Sequence, residues 1–166
     1  MFTGPVPDIL TTVDTDDLLS CCASRRWAER VAARRPFTDV DDLLAASSAA
    51  LADLSWDDVL EALAAHPRIG ERHGGDGREA GWSSQEQSAA RTPDERLRAD
   101  LVEGNRRYEE RFDHVFLICA TGLPVEAVLA ALRHRLTNDD ATERKVVREE
   151  LAKIVELRLE KLVDGS

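Results

Sequence analysis

A histidine and a carboxylate occur where one helix is expected to end and another to begin. His66 precedes Pro67, and proline disfavours helical geometry in the residue before it. Glu86 follows Ser83 by three residues, which is the spacing of a capping box at a helix start. Imidazole titrates near neutrality, and a carboxylate can orient it or exchange a proton with it. The pattern predicts a proton-transfer pair in a pocket and therefore favours an enzyme.

Simpler structural roles exist for both residues. His66 follows Leu63 by three positions, so it continues the apolar stripe of its helix, where a lone histidine more often caps or packs. The Glu86 carboxylate can simply accept from the backbone N–H of Ser83. From position alone, both interpretations stay open.

Two further polar residues fall on apolar helical stripes. Arg158 lies near the centre of a stripe formed by Leu151, Ile154, Val155 and Leu162. A buried guanidinium needs an anion, which is either an internal carboxylate or a bound ligand. Asn105 continues a second stripe, and we expect it to hydrogen bond between helices or to brace a loop.

Composition excludes several classes of function. The 166 residues include 22 basic and 32 acidic side chains, giving a net charge of −10, which argues against a general nucleic-acid binder. No apolar run is long enough to cross a bilayer, and the first residues lack the pattern of a secretion signal. The three cysteines, of which two are adjacent, make a poor disulfide framework and favour the cytoplasm.

The spacing of apolar and capping residues predicts helix after helix. Helices are expected at residues 15–20, 24–34, 38–54, 55–66, from 83, 92–112, 123–136 and 142–163. Thr38 and Ser55 are predicted N-caps, each with an aspartate three residues later. The apolar run at residues 116–120 is too short for its periodicity to be assigned. No strand pair with a turn signal occurs, so we expect one all-α domain over residues 1–166, a bundle of about seven to nine helices.

Four segments taken together resemble the OHCU decarboxylase family, whose substrate is 2-oxo-4-hydroxy-4-carboxy-5-ureidoimidazoline. They are His-Pro-Arg-Ile-Gly at residues 66–70, Trp-Ser-Ser-Gln-Glu-Gln at 82–87, Asn-Arg-Arg-Tyr-Glu-Glu-Arg-Phe at 105–112 and Phe-Leu-Ile-Cys-Ala-Thr-Gly at 116–122. The segment at 150–159 is similar to the family's closing helix. The resemblance covers the chain from about residue 37 to 163, in the family's order.

The resemblance implies an all-α, usually dimeric enzyme that decarboxylates its anionic substrate to (S)-allantoin without a cofactor or metal. This is the last step of urate degradation, after urate oxidase and hydroxyisourate hydrolase. His66 would be the catalytic acid or base, Glu86 its carboxylate partner, and Arg158 would meet the substrate's anionic groups. The implied substrate-binding residues are Pro67, Ser83, Ser84, Gln87, Phe116, Leu117, Ile118, Cys119, Ala120 and Arg158.

The chain departs from the family pattern at a few positions. Asp113 stands where a small residue such as glycine is expected, and Ser88-Ala89 replaces an Ala-Gly pair. Two functions of other classes remain alternatives. A helical interaction module would dock through its acidic surface and show no turnover. A metal-dependent hydrolase using His66, Glu71, His73 and Glu86 would lose activity to chelators.

Overall fold

The computed structural model describes residues 9–66 and 95–164. These ranges contain eight helices and no strand, which confirms the predicted all-α fold. The helices are α1 (Ile9–Thr12), α2 (Thr15–Leu19), α3 (Arg25–Ala32), α4 (Val40–Ala52), α5 (Trp56–Leu63), α6 (Glu95–Phe112), α7 (Val125–Arg135) and α8 (Asp140–Asp164).

Side-chain caps explain why several helices begin where the sequence predicts. The Ser24 hydroxyl accepts from the Trp27 N–H at 3.3 Å and caps α3. Ser55 and Asp58 form the predicted capping box of α5, because each side chain accepts from the other's backbone N–H at 3.2 Å. These caps satisfy backbone donors that the first helical turn leaves without partners.

The start of α4 differs from the prediction by one residue. Asp39, not Thr38, is the N-cap, and its carboxylate accepts from the Asp42 N–H at 2.8 Å. Thr38 instead donates its backbone N–H to the Asp42 carboxylate at 3.0 Å. The predicted Thr38 cap is therefore wrong, since a carboxylate one position later is a strong acceptor at the positive end of the helix.

The last helix starts two residues before the predicted position. The Asp139 carboxylate accepts from the Thr142 N–H at 2.8 Å, so the cap lies ahead of α8. The hydrogen bonds from Thr142 also lower the pKa of Asp139. Helix α8 is therefore about half a turn longer at its N-terminus than the predicted helix.

Contacts within the chain define two compact units, Met1–Ala62 with Ala152–Ser166, and Leu63–Leu151. In the first unit, Trp27 on α3 is fully buried and its indole N–H donates to both the carbonyl and the hydroxyl of Ser47 on α4 at 3.3 Å. The Phe37 N–H donates to the Leu10 carbonyl at 3.0 Å. The first pair of bonds connects α3 with α4, and the bond to Leu10 connects α1 with the segment between α3 and α4. That the two units form one domain stays a prediction.

The second unit is built on the packing of α6 with α7. Its core consists of Leu101, Tyr108, Phe116, Ile118, Ala120, Val125, Val128, Leu129 and Leu132. Gly104 lets the two helices approach closely, because a β-carbon there would overlap Cδ2 of Leu132 and lie 3.2 Å from its Cγ. Asp113 ends α6 with φ +64°, the left-handed conformation in which glycine commonly terminates a helix. This conformation explains why a glycine is expected there.

No helix among residues 9–66 and 95–164 is both long enough and apolar enough to cross a membrane.

Candidate active site

His66 lies three residues beyond Leu63, the last residue of α5, and belongs to the second unit. Its backbone N–H donates to the Leu63 carbonyl at 3.0 Å, so the chain is still turning when it reaches the histidine. Leu63 is buried and His66 is half-buried. The imidazole therefore has both a fixed backbone and access to solvent, as an acid or base that exchanges protons requires.

Part of the predicted site lies outside the described residues. Pro67, Ser83, Ser84, Glu86 and Gln87 belong to the stretch between residues 66 and 95. Their roles stay predictions, as does the pairing of His66 with Glu86.

The segment at residues 116–120 is neither helix nor paired strand, and it is largely buried. Phe116, Leu117, Ile118 and Ala120 are buried, while Cys119 is half-buried. The segment ends in a turn, where the Leu123 N–H donates to the Ala120 carbonyl at 3.0 Å and Gly122 adopts φ +80°. A buried segment without regular structure must satisfy its peptide groups by other partners.

Two charged side chains provide those partners. Arg135 at the end of α7 donates from Nη1 to the Leu117 carbonyl at 2.6 Å. Glu150 on α8 accepts the Cys119 N–H on Oε1 at 3.0 Å. Both charges are almost completely buried, so these charge-assisted bonds are protected from water.

A buried network in turn holds Arg135. The Glu143 carboxylate accepts from Nε and Nη2 of Arg135 at 2.8 and 2.6 Å, from Nδ2 of Asn138 at 3.1 Å, and from the Tyr108 hydroxyl. The Arg135 guanidinium also lies 4.5 Å from the centre of the Phe116 ring. Burial and the bond to Glu143 raise the pKa of Tyr108, which stays a hydrogen-bond donor. The paired network fixes the guanidinium that holds Leu117.

Helical spacing indicates that four charged residues are buried, namely Arg135, Glu143, Glu150 and Arg158. Of these, only Arg158 is predicted from the sequence in this way. Glu143, Glu150 and Arg158 lie seven and eight residues apart, so they share one face of α8 with buried Val147 and Ile154. Arg135 follows Val128 and Leu132 in the same way on α7. Charged residues on apolar helical stripes therefore identify the buried ionic groups of the residues that the structure describes.

Arg158 belongs to the first unit and is buried, as predicted, with an exposed fraction of 3%. Its Nη1 lies 3.4 Å from the Cys21 carbonyl oxygen, to which it donates. A carbonyl is a neutral acceptor, so this bond orients the guanidinium without neutralising its charge. Burial raises the pKa of the neighbouring Cys22 thiol to about 11, against the opposite effects of a Ser24 backbone bond and of Arg158.

Asn105 on α6 is also buried, which confirms its predicted place on the stripe with Leu101 and Tyr108. Among residues 9–66 and 95–164, no group of three or more histidine, cysteine, aspartate or glutamate side chains is arranged to hold a metal ion. Of the four ligands of the alternative metal site, only His66 lies in these ranges.

Comparisons with known proteins agree with the resemblance. A family model described as OHCU decarboxylase matches residues 12–160. The chain is 30% identical over 154 residues to the uric acid degradation bifunctional protein TTL of Arabidopsis thaliana, covering 90% of this chain and 47% of that protein. It is 35% identical over 135 residues to the 2-oxo-4-hydroxy-4-carboxy-5-ureidoimidazoline decarboxylase of Haloferax volcanii, covering 80% of this chain and 77% of that protein. This chain therefore spans about half of the bifunctional relative and most of the archaeal one.

A solved structure has a similar fold. The crystal structure of OHCU decarboxylase in the presence of (S)-allantoin superimposes with a TM-score of 0.78 at 30% identity, covering 90% of this chain and 98% of that one. The match of the family model to residues 12–160 and the match to this solved structure thus point to one family.

Proposed function

The chain belongs to the OHCU decarboxylase family, and we propose that it decarboxylates 2-oxo-4-hydroxy-4-carboxy-5-ureidoimidazoline to (S)-allantoin without a cofactor. The observation that carries this proposal is the extent of the family match. It includes His66, residues 82–87, residues 116–120 and Arg158 in one continuous stretch. The Haloferax volcanii relative carries the name of this decarboxylase, and the bifunctional relative carries that of uric acid degradation.

The substrate itself provides the electron sink for the reaction. When the bond between the ring carbon and the carboxylate breaks, CO2 leaves and the electron pair forms a double bond to the neighbouring, ureido-bearing carbon. The imine nitrogen on that carbon accepts the displaced electrons and a proton. A proton then adds to the ureido-bearing carbon while the hydroxyl proton leaves, which gives the carbonyl group of allantoin. The protein has to orient the ring and move protons.

We assign the proton transfers to His66, with Glu86 as its carboxylate partner. The position of His66 supports this role, since the residue is half-buried and its backbone is held at the end of α5. A placed histidine typically contributes about 10²–10⁴-fold to a rate. Protonation from one face would give a single enantiomer of allantoin.

Residues 116–120 are proposed to bind the ring amides, together with Pro67, Ser83, Ser84 and Gln87. Arg135 and Glu150 bond the Leu117 carbonyl and the Cys119 N–H. In a trans peptide the carbonyl and the N–H point in opposite directions, so the Ile118 N–H points away from Arg135 and the Ile118 carbonyl points away from Glu150. We therefore assign the peptide N–H and carbonyl of Ile118 to the substrate, since they lie between the two groups that the protein itself binds.

Arg158 is proposed to bind the anionic groups of the substrate. The residue is buried, where a charge-assisted bond to an anion is strong, and it lies within the stretch that the family model matches. We therefore assign the substrate as the anion that Arg158 binds, in place of an internal carboxylate, which the helical stripe alone would favour.

The remaining proposals concern the context of the enzyme. We propose a homodimer in the cytoplasm that follows urate oxidase and hydroxyisourate hydrolase in urate degradation. Light scattering coupled to size-exclusion chromatography tests the dimer, and a mass of 18.4 kDa in solution would contradict it.

A coupled assay tests the activity. Urate oxidase and hydroxyisourate hydrolase generate the unstable substrate from urate, and circular dichroism follows the formation of (S)-allantoin. We expect the protein to accelerate this signal equally with and without a chelator. Loss of the activity with the chelator would favour a metal-dependent enzyme, and no acceleration would contradict the proposed function.

A further inference from the structure

We propose that Glu150 is a positioning residue that sets the backbone of residues 117–119 for substrate binding, an inference that rests on the proposed function. Its carboxylate does not have to touch the substrate. Ile118 is joined to Leu117 by one peptide bond and to Cys119 by the next. The Glu150 carboxylate accepts the Cys119 N–H at 3.0 Å and so holds the second of these two peptides.

The peptide between Leu117 and Ile118 is held independently of Glu150. Arg135 donates to the Leu117 carbonyl at 2.6 Å, and Glu143 fixes Arg135 through two bonds of 2.8 and 2.6 Å. Glu143 and Glu150 are seven residues apart on α8, so their side chains leave the helix on the same face two turns apart. One helix face therefore supports both ends of a short segment that has no regular structure of its own.

The two supports differ in how they can be tested. The Arg135–Glu143 pair is part of a network with Tyr108 and Asn138, so its removal would leave buried charges without partners. Glu150 binds the backbone N–H of Cys119, and its exposed fraction of 9% is the highest among the buried charged residues of the described ranges. It is the residue whose replacement tests positioning with the least damage to the core.

Each change at Glu150 alters the bond to Cys119 in a defined way. Glu150→Gln keeps an acceptor oxygen on a side chain of the same length. Glu150→Asp keeps the charge but shortens the side chain by one methylene, which withdraws the acceptor from the N–H. Glu150→Ala removes the acceptor. Glu149, which is exposed on the same turn, gives matched controls through Glu149→Gln and Glu149→Ala.

The experiment measures kcat, KM and the enantiomeric purity of allantoin in the coupled assay, with hydrogen exchange of residues 116–120 on the same proteins. We expect Glu150→Ala to lower kcat by about 10- to 100-fold, because misplacement by about 1 Å costs about that much. The kcat of Glu150→Asp should lie between those of Glu150→Ala and the unaltered protein. The kcat of Glu150→Gln should stay within about threefold of the unaltered protein, since a neutral acceptor still bonds the N–H. Exchange at the segment should rise in the same order, and both Glu149 variants should behave normally.

Several outcomes would overturn the inference. Glu150→Asp or Glu150→Ala with normal kcat, whatever its thermal stability, would show that the bond to Cys119 does not set the site. A Glu150→Gln protein as impaired as Glu150→Ala would show that the charge, not the position of the acceptor, matters. If Glu150→Ala does not fold, Glu150→Asp and Glu150→Gln decide. Absence of turnover by the unaltered protein would reject the proposed function and this inference with it, whereas normal turnover by the altered proteins rejects the inference alone.

Discussion

Arg158 lies in the apolar face of α8, as the helical spacing of Leu151, Ile154 and Leu162 predicts. The spacing predicts burial because one helix face repeats every three to four residues. It does not predict which groups the guanidinium contacts, since these groups can be far away in sequence. The contact with the Cys21 carbonyl, which is 137 residues away, is of this kind.

Replacing Arg158 by leucine separates the two roles of this residue. We expect Arg158→Leu to raise KM by about 10- to 100-fold, the loss of one charge-assisted contact, with little change in melting temperature. The structural role predicts a large loss of stability instead, because removal of one partner of a buried ion pair costs about 3–5 kcal/mol. Coupled-assay kinetics and thermal unfolding measure the two effects.

Arg144→Leu is the matched control, because Arg144 is exposed on the same helix. A large loss of stability in Arg158→Leu with a normal KM would show that Arg158 stabilises the fold and does not bind the substrate.

At the scale of the elements, the sequence predicts most helices but not the segment between α6 and α7. Capping residues and apolar stripes place α2, α3, the start of α5 and the end of α6 within one or two residues, whereas α5 ends three residues before the predicted His66. Residues 116–120 are apolar and few, so neither helical nor strand periodicity can be recognised in them. Arg135 and Glu150, which belong to two other helices, bond two peptide groups of this segment. Tertiary contacts of this kind are not encoded in local spacing.

Removing the Tyr108 hydroxyl tests the network that joins α6, α7 and α8. We expect Tyr108→Phe to lower the free energy of unfolding by about 1–3 kcal/mol, because the buried Glu143 carboxylate loses one donor. The ring keeps its packing against Phe116, 5.2 Å away between centroids. Urea unfolding measures the change, and an unaltered midpoint would show that the hydroxyl contributes nothing to the network.

Close packing of α6 on α7 predicts the cost of a side chain at Gly104. Gly104→Ala gains about 1 kcal/mol of helix propensity but overlaps buried Leu132, and overpacking costs about 1–3 kcal/mol. We therefore expect a net destabilisation of up to about 2 kcal/mol.

A double-mutant cycle with Leu132→Ala gives the control. The penalty of Gly104→Ala should disappear in the Leu132→Ala background, where the overlapping atoms are absent. An equal effect in both backgrounds would show that the helices are not in close contact at this point.

At the scale of the whole molecule, the acidic composition says little about the reaction, because the charges that matter are buried. The net charge of −10 excludes a general nucleic-acid binder, yet the groups that support residues 116–120 and the proposed anion site are two arginines and two glutamates. Composition cannot identify them, but their places on apolar stripes can. The residues between 66 and 95 carry the rest of the proposed site as predictions.

Stability at alkaline pH follows from the buried thiol of Cys22. Its pKa is about 11 in the folded protein against an ordinary value of 9.0, so below pH 9 the thiol is protonated in both states and destabilises neither. As pH rises from about 9 to 11, the unfolded state alone releases the proton, and stability falls by about 2–3 kcal/mol. Between pH 8 and 10.5, the free energy of unfolding of Cys22→Ala should fall by less than that of the unaltered protein, as measured by urea unfolding. An identical loss in both proteins would contradict the assignment.

The measurement that tests the central claim most directly is the rate of (S)-allantoin formation by the unaltered protein, His66→Ala and His134→Ala. His134 is exposed on α7 and is the matched control. We predict rapid formation of the (S)-enantiomer by the unaltered and His134→Ala proteins, and a loss of about 10²–10⁴-fold in a folded His66→Ala protein. A near-normal rate in His66→Ala would reject the acid–base role of this histidine. If all three proteins give only the slow spontaneous drift toward racemic allantoin, the decarboxylase account is contradicted.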